Sequence, residues 1–235
     1  MWTRTDVPHH LLVESQPVPD TRQMIPGSRR HAQHIVYELA RSIEERDRLT
    51  YDHCRRVAIY CNRLARALGW TRSAARDLAL AGLAHDLGKT WIANSVLHKD
   101  SALSQDERLE MQRHPVIAAR MLEIYGAPPW LSEVVLHHHE AYEGSGYPMG
   151  LVGDQIPVGA RILTVVDVFD ALTSARPYKA AMSVAEAQRW ITSHAPSHFD
   201  PQVVAAFTAL LEASPTFTIA PQLEAPEPLE TPLAM

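Results

Sequence analysis

Cysteine is scarce in this chain: its 235 residues include only two, Cys54 and Cys61. Both fall in a segment with a helical pattern, and their spacing of seven residues corresponds to a helical rise of about 10 Å. A disulfide requires Cα atoms within about 7 Å of each other. The scarcity excludes a disulfide-stabilised scaffold and predicts two reduced thiols, as expected for a cytoplasmic protein.

Long apolar runs and an excess of positive charge are also missing. No apolar stretch approaches the roughly 18 residues that cross a bilayer, and residues 1–16 lack the basic start and apolar block of a signal peptide. We therefore expect neither a membrane span nor export. The formal net charge of −5 argues against binding to nucleic-acid polymers. It is compatible with a small phosphate ligand, because a local basic cluster can exist in an acidic protein.

Alternating strand patterns are missing as well, and the apolar periodicity in the middle of the chain is helical. Residues 1–28 and 214–235 predict flexible tails around one folded domain at 29–213. The pattern predicts an all-α bundle of about eight helices, with a glycine-rich loop at 144–157. The helices are expected at about 30–47, 52–68, 72–86, 105–124, 129–139, 157–173, 184–194 and 202–213.

Local capping signals define several of these boundaries. Ser104 with Glu107, and Ser183 with Glu186, have the spacing of a capping box. Asp200, followed by a proline, has the character of an N-cap residue. Helices are therefore expected to begin directly after each of these positions.

Histidines and carboxylates recur on five separate predicted helices, mostly in apolar surroundings. Asp167 lies in the apolar run 162–169, where a carboxylate is costly unless it is paired or bound to a cation. Taken alone, His53, His114 or Asp167 would more often be a hydrogen-bonded residue than a ligand, so the hypothesis of a metal site depends on the whole set. The candidate ligands are His53, His85, Asp86, His114, His138, His139 and Asp167.

The adjacent residues His85 and Asp86 suggest more than one ion. Neighbouring residues on a helix point about 100° apart, so both cannot point head-on at a single ion. A carboxylate has two oxygens and can bridge two ions. Two ions about 3.5–4 Å apart clamp a phosphoryl group and generate hydroxide from bound water. His137 is expected to support the site or to lie exposed.

The ordered series of these residues resembles the HD-GYP family, a branch of the HD-domain metal phosphohydrolases, over about residues 31–210. That family is all-helical and hydrolyses the bacterial second messenger cyclic di-GMP. The resemblance therefore implies an HD-domain helical bundle with the glycine-rich loop near the metal site. The matching elements are His53, Arg56-Val57, His85 to Lys89, His114, His138 to Glu140, Gly144 to Pro148, Ile156-Pro157, Ala160 to Ile162, Asp167 to Ser174, Arg176 to Lys179 and Phe199 to Pro201.

The resemblance also implies roles for individual residues. The candidate ligands would hold a binuclear iron or manganese centre, bridged by the catalytic Asp86. Lys89 would contact the phosphate or support the attacking hydroxide, as a second catalytic residue. Tyr147 would face the substrate from the loop, where Gly144 and Gly146 would allow backbone angles closed to other residues.

Substrate binding would extend beyond the metal centre. Arg176 and Lys179 are expected to bind phosphate or guanine, for which the planar fork of arginine is well suited. Attack by a hydroxide between the two ions would open cyclic di-GMP to linear pGpG. Further cleavage to GMP is the less expected outcome with two metals.

Three departures from the family pattern leave alternatives open. Leu49 stands where some members have a glutamate that binds a third metal, which favours two metals here. Ala141 and Glu143 stand where a basic residue and an aspartate are usual. A catalytically weak or inactive cyclic di-GMP receptor that acts through protein partners is one alternative. An HD enzyme acting on other nucleotides is another, and a purely structural helical module is the least favoured.

The expected partners follow from the same resemblance. The segment before the first helix is too short for a receiver, sensor or cyclase domain, so regulatory input is expected from a separate sensor or diguanylate cyclase protein. Cyclic di-GMP is the expected small-molecule partner, with no nucleic-acid polymer and no membrane. A homodimer is compatible with the sequence.

Overall fold

The computed structural model describes residues 29–175 and 180–213. These residues form helices and loops without a strand, which confirms the predicted all-α class. Two short 3₁₀ turns, Leu87–Trp91 and Gly153–Gln155, complete the secondary structure of these two segments. Both predicted tails lie outside the described residues. The helices are α1 (Arg29–Arg46), α2 (Arg48–Ala67), α3 (Arg72–Ala84), α4 (Asn94–Leu97), α5 (Gln105–Met111), α6 (His114–Ile124), α7 (Pro129–Leu136), α8 (Val158–Thr173), α9 (Val184–Ser193) and α10 (Pro201–Ala213).

The predicted capping signals are confirmed. The Ser104 hydroxyl accepts the Glu107 N–H at 3.3 Å, and the Glu107 carboxylate accepts the Ser104 N–H at 2.7 Å. Ser183 and Glu186 form the same reciprocal pair at the start of α9. The Asp200 carboxylate accepts the backbone N–H two residues later, at 2.8 Å. These caps satisfy backbone donors that have no partner within the first turn of a helix.

The single helix predicted over 105–124 is wrong, because the structure has two helices there. α5 ends at Met111 and α6 begins at His114. Pro115 lies in the first turn of α6. Proline has no backbone N–H and is tolerated in a first turn but not in a helix interior. The break places His114 at the start of α6, where its ring contacts the carbonyl of the last residue of α5.

Two other helices end earlier than predicted. α3 ends at Ala84 and α7 ends at Leu136, two and three residues short of the expected boundaries. The paired residues His85-Asp86 and His138-His139 therefore follow the ends of helices rather than lying within them. His85 keeps helical backbone angles, and both members of each pair still contribute an atom to the same group of candidate ligands.

The core is built around α2, which packs against α1, α3 and α8. A Cβ at Gly82 would lie 2.9 Å from the Cα of Ala58, so the absence of a side chain lets α3 approach α2 closely. Cys54 and Cys61 are both free and fully buried in this core, as predicted. Each large apolar side chain buried here stabilises the fold by about 1.5–3 kcal/mol.

Among the helices of the described segments, none is both long enough and apolar enough to cross a bilayer.

Candidate metal centre

The first group of candidate ligands lies where α2, α8 and the end of α3 meet. His53 Nε2 is 3.0 Å from Asp167 Oδ1 and 3.9 Å from Asp86 Oδ2. His85 Nε2 is 3.4 Å from Asp86 Oδ2 and 3.7 Å from Asp167 Oδ1. Two imidazoles and two carboxylates from three separate parts of the sequence thus converge.

The second group lies beside the first, on the other side of Asp86. His114, His138 and His139 each offer a nitrogen, and these nitrogens lie within 4.8 Å of one another. His114 Nε2 is 3.4 Å from Asp86 Oδ1, the oxygen that does not face His53 and His85. The structure therefore brings all seven candidate ligands together in two adjacent groups that share the Asp86 carboxylate.

Helix ends orient three of the histidines. His85 Nδ1 lies 2.8 Å from the Gly82 carbonyl, and His138 Nδ1 lies 2.6 Å from the Val135 carbonyl. His114 Nδ1 lies 2.7 Å from the carbonyl of Met111, the last residue of α5. A carbonyl only accepts, so Nδ1 carries the hydrogen and Nε2 keeps a lone pair. The final carbonyls of a helix have no partner within it, which makes them suitable acceptors.

The lone-pair nitrogens of His85, His114 and His138 are buried and have no hydrogen-bond partner. Buried polar atoms without a partner are rare in folded proteins. Three of them beside ionised carboxylates are the arrangement expected when a cation completes the site. A set of imidazole nitrogens and carboxylate oxygens fits a divalent transition metal, with the outward nitrogens held by outer hydrogen bonds.

The charge states agree with this fit. Burial lowers the pKa of His114 to about 3 and that of His139 to about 4. Burial and the neighbouring imidazoles also lower the pKa of His138. These side chains are neutral near pH 7, as metal ligands must be. Burial opposes ionisation of Asp86, but Lys89 and the adjacent histidines keep the pKa of this carboxyl well below its usual range.

His53 behaves differently from the other histidines. Burial opposes its protonation, but hydrogen bonds to Asp167 and Asp170 raise its pKa to about 9. In the metal-free protein a proton therefore lies between His53 and Asp167. A divalent cation would replace that proton at the same point of convergence.

Lys89 contacts the carboxylate that both groups share. Its Nζ is 2.7 Å from Asp86 Oδ2, and the side chain is partly exposed. The turn that carries Lys89 lies directly against the start of α6, because a Cβ at Gly88 would overlap the backbone of His114. Close approach at Gly88 thus lets the backbone of this turn lie against His114, while the Lys89 ammonium contacts the Asp86 oxygen that faces His53 and His85.

The glycine-rich loop supports the second group of ligands. The Tyr147 ring stacks on the His139 ring at 4.9 Å, and its backbone N–H donates to the His139 carbonyl at 3.1 Å. The Glu140 carboxylate accepts the N–H groups of Met149 and Leu151 at 2.8 and 3.1 Å. Tyr147 is partly buried, and its stacked ring lies against the candidate ligand His139 beside the centre.

The expectation that both loop glycines adopt backbone angles closed to other residues is correct for Gly144 and wrong for Gly146. Gly144 has a φ of +93°, which disfavours residues with a side chain. Gly146 is not among the glycines with positive φ. A Cβ there would instead collide with the backbone of Glu140 and Ala141. Close approach of two backbone segments, rather than an unusual backbone angle, is the reason for glycine at position 146.

The residues that depart from the family pattern lie outside both ligand groups. Leu49 is 71% exposed in the first turn of α2 and offers no ligand atom. Ala141 is fully buried, and Glu143 is exposed beside the Ser145 hydroxyl. His137 lies 3.5 Å from the Glu140 carboxylate and so supports the loop, one of its two expected roles. Arg176 and Lys179 lie outside the described residues.

Asp170 and Arg56 are two contributors to which the sequence pattern assigns no role. Asp170 Oδ2 lies 2.7 Å from His53 Nδ1. Arg56 donates to both oxygens of the same carboxylate, at 2.7 and 2.9 Å. Their signal in the sequence is spacing: Asp170 follows Asp167 by three residues and Arg56 follows His53 by three, so each pair shares a helix face.

Comparison with known proteins assigns the class. The sequence model described as "HD domain" matches residues 19–203, so the chain belongs to the HD-domain family. Among its curated relatives, the cyclic di-GMP phosphodiesterase response regulator RpfG of Xanthomonas campestris pv. campestris (strain 8004) is 42% identical, over 72% of this chain and 45% of the relative. The 3'3'-cGAMP-specific phosphodiesterase 2 of Vibrio cholerae serotype O1 is 36% identical, over 75% of this chain and 34% of the relative.

The fold comparison agrees with this assignment. The HD domain of the L. monocytogenes phosphodiesterase PgpH, solved in complex with cyclic-di-AMP, matches with a TM-score of 0.58 at 17% identity. The match covers 80% of this chain and all of that domain. At this identity the likeness concerns the fold alone. The chain spans less than half the length of the two curated relatives.

Proposed function

We propose that this protein is a metal-dependent phosphodiesterase that hydrolyses cyclic di-GMP to linear pGpG. The observation that carries the proposal is the position of Asp86, whose two oxygens face different histidines at 3.4 Å each. A carboxylate placed in this way can serve two ions at once. Two ions held by these donors, with iron or manganese favoured, would neutralise charge on the phosphoryl oxygens and lower the pKa of a bound water.

The residues of the chain prepare the site for this reaction. The imidazoles of His114, His138 and His139 have lowered pKa values and are neutral near pH 7, so they can bind a cation without first losing a proton. Lys89 adds a positive charge beside Asp86, where an anionic phosphodiester would lie. Tyr147, together with Arg176 and Lys179, would hold the rest of the substrate.

Relatives support a cyclic dinucleotide as the substrate. Cyclic di-GMP is chosen because the relative with 42% identity is named for it. The cGAMP-specific relative at 36% identity makes 3'3'-cGAMP the first competing substrate to test. A separate sensor or diguanylate cyclase partner and a homodimer stay predictions.

Product analysis of the purified protein tests the proposal. Protein loaded with Mn²⁺, or with Fe²⁺ under anaerobic conditions, is incubated with cyclic di-GMP, 3'3'-cGAMP and cyclic di-AMP, and products are separated by chromatography. We expect pGpG from cyclic di-GMP, and loss of turnover in the double variant His85→Ala/Asp86→Ala. The variant His98→Ala, at a position outside the ligand groups, should match the wild type.

The outcome also decides between the enzyme and a receptor. Tight binding of cyclic di-GMP without any linear product would support the receptor alternative and contradict the proposal. Turnover that persists in the double variant would refute the assigned ligands. Preference for 3'3'-cGAMP would retain the reaction type and change the substrate.

A further inference from the structure

His53 occupies a different structural position from the three histidines whose Nδ1 atoms contact helix-end carbonyls. It lies in the first half of α2, at a distance from either end of that helix. Carbonyls in a helix interior already accept hydrogen bonds from within the helix. The outward nitrogen of His53 therefore requires an acceptor from another element.

Asp170 on α8 supplies that acceptor. Its Oδ2 lies 2.7 Å from His53 Nδ1, and the residue is 1% exposed. An ionised carboxylate only accepts, so Nδ1 must carry the hydrogen and Nε2 is left to face Asp86 and Asp167. One contact thus selects the tautomer in which His53 can bind a cation.

Arg56 in turn orients Asp170. The guanidinium donates from Nε to one carboxylate oxygen and from Nη2 to the other, and Nη2 also donates to the Ser174 hydroxyl at 3.1 Å. This two-point contact is more restrictive than a single ion pair, because the planar fork matches the plane of the carboxylate. His53 and Arg56, one turn apart on α2, therefore both hydrogen-bond to the Asp170 carboxylate of α8.

We propose that Asp170, held by Arg56, is a positioning residue that sets the tautomer and basicity of His53 and so the affinity of one half of the metal centre. The inference rests on the proposed metal centre but not on its substrate. A carboxylate behind a ligating imidazole raises the basicity of the ligand, and loss of such a partner costs about 10- to 100-fold in metal affinity. The half with His114, His138 and His139 makes no contact with Asp170 among the hydrogen bonds of the described residues.

Metal binding by the variant Asp170→Asn tests the inference. Mn²⁺ binding to the chelator-treated protein is followed by calorimetry, and bound metal is counted after gel filtration. We expect two ions on the wild-type protein. On the variant, one ion should bind about 10- to 100-fold more weakly while the other keeps its affinity. Electron paramagnetic resonance should correspondingly change from the signal of a coupled manganese pair to that of an isolated ion.

Asp200→Asn is the matched control. Asp200 is also buried, and its carboxylate lies 2.8 Å from Nη1 of Arg161. Its described contacts include no histidine of the centre. The control should lose thermal stability without any change in the affinity of either ion. Arg56→Lys keeps the positive charge without the planar guanidinium and should reduce metal affinity less than Asp170→Asn does.

Three results would overturn the inference. If Asp170→Asn binds both ions as tightly as the wild-type protein, the positioning role is refuted. Equal weakening of the binding of both ions would refute it as well. An identical change in Asp170→Asn and Asp200→Asn would reduce Asp170 to a structural residue. Absence of any metal binding by the wild-type protein would refute the centre itself, whereas metal binding without hydrolysis would contradict only the proposed function.

Discussion

Lys89 illustrates how a single side chain can act through the charge of its neighbour. It is partly exposed, yet its ammonium group lies 2.7 Å from the buried Asp86. Burial opposes the charged form of Lys89, but the attraction of Asp86 raises its pKa above the usual value. The lysine therefore stays protonated near pH 7 and keeps a positive charge at the edge of the centre.

The variant Lys89→Met tests this charge in catalysis. Removing it should lower kcat for cyclic di-GMP by about 100-fold, the typical cost of losing one group that stabilises transition-state charge. Metal content should not change, since the predicted ligands remain. Lys99→Met is the control, because Lys99 pairs with Glu107 at 2.6 Å, outside both ligand groups. An unchanged kcat, or equal losses in both variants, would contradict the role of Lys89.

Helix ends are the elements that organise most of the centre. The histidines at positions 85, 114 and 138 each use a carbonyl from the last turn of the preceding helix, namely α3, α5 and α7. The same hydrogen bond satisfies the end of a helix and fixes the tautomer of a candidate ligand. The 3₁₀ turn Leu87–Trp91 then joins the first group to the second through its contact with α6.

The variant Gly88→Ala tests the packing of this turn. A methyl group there would overlap the His114 backbone, so the turn must move away from α6. We expect destabilisation by about 1–3 kcal/mol, together with weaker binding of metal by the second group. Calorimetric unfolding and metal titration measure the two effects.

Gly69→Ala provides the comparison for that variant. Gly69 has a φ of +83°, but a Cβ added there would meet no atom within 4 Å, so an alanine is strained without striking a neighbour. It should cost about 1 kcal/mol of stability and leave metal binding intact. Normal metal affinity in Gly88→Ala would show that contact at this turn does not position His114.

At the scale of the whole molecule, the protein buries several ionisable groups in one interior. Neutral histidines, ionised carboxylates and a protonated His53 lie together among helices that otherwise form an apolar core. Each group whose pKa differs between the folded and unfolded states makes stability depend on pH. The metal-free protein should therefore be sensitive to pH from both directions.

The expected stability of the metal-free protein is greatest near pH 6.5, the ordinary pKa of histidine. The pKa values of His114 and His139 are lowered to about 3 and 4, so below pH 6.5 the unfolded chain binds protons that the folded one does not. Each such histidine lowers the free energy of unfolding by about 1.4 kcal/mol for each unit that the pH falls over that range. The contribution of His53 to stability has the opposite pH dependence. Because its pKa is raised to about 9, that contribution is complete below pH 6.5 and is lost as the pH rises to about 9.

Chemical denaturation from about pH 5 to about pH 9, with chelator present, measures this profile. The variant His139→Asn removes one partly buried imidazole. Below pH 6.5 its unfolding free energy should therefore fall less steeply than that of the wild type, by about one proton, or about 1.4 kcal/mol per pH unit. A variant with the same slope as the wild type would contradict the assignment of a neutral His139.

Much of the helical structure could be predicted because its causes are local. Capping pairs such as Ser104 with Glu107 act over three residues, and apolar spacing acts over one or two turns. The break at His114 was missed although its signal, Pro115, is also local. The early ends of α3 and α7 were missed because helix boundaries depend on contacts with the rest of the fold.

The chemical types of the ligands were present in the sequence, and the buried setting of Asp167 could be inferred from its apolar neighbours. Their division into two groups could not, because it depends on contacts between residues far apart in the sequence, such as His53 with Asp167 and Asp86 with His114. The position of Arg56 depends likewise on its long-range contact with Asp170. The reason predicted for glycine at position 146 is wrong, because the backbone segment that leaves no room for a side chain there comes near only in the folded loop.

The sequence by itself determined the all-α class, most helix starts and the supply of imidazoles and carboxylates, because these follow from composition and from interactions within a few residues. Only the tertiary structure decided that Asp86 faces two groups of histidines, that helix-end carbonyls contact three of the candidate ligands, and that Asp170 contacts a fourth. The physical reason is that hydrogen bonds and charge interactions act over a few ångströms in space. Packing of the helices determines which distant residues come within that range.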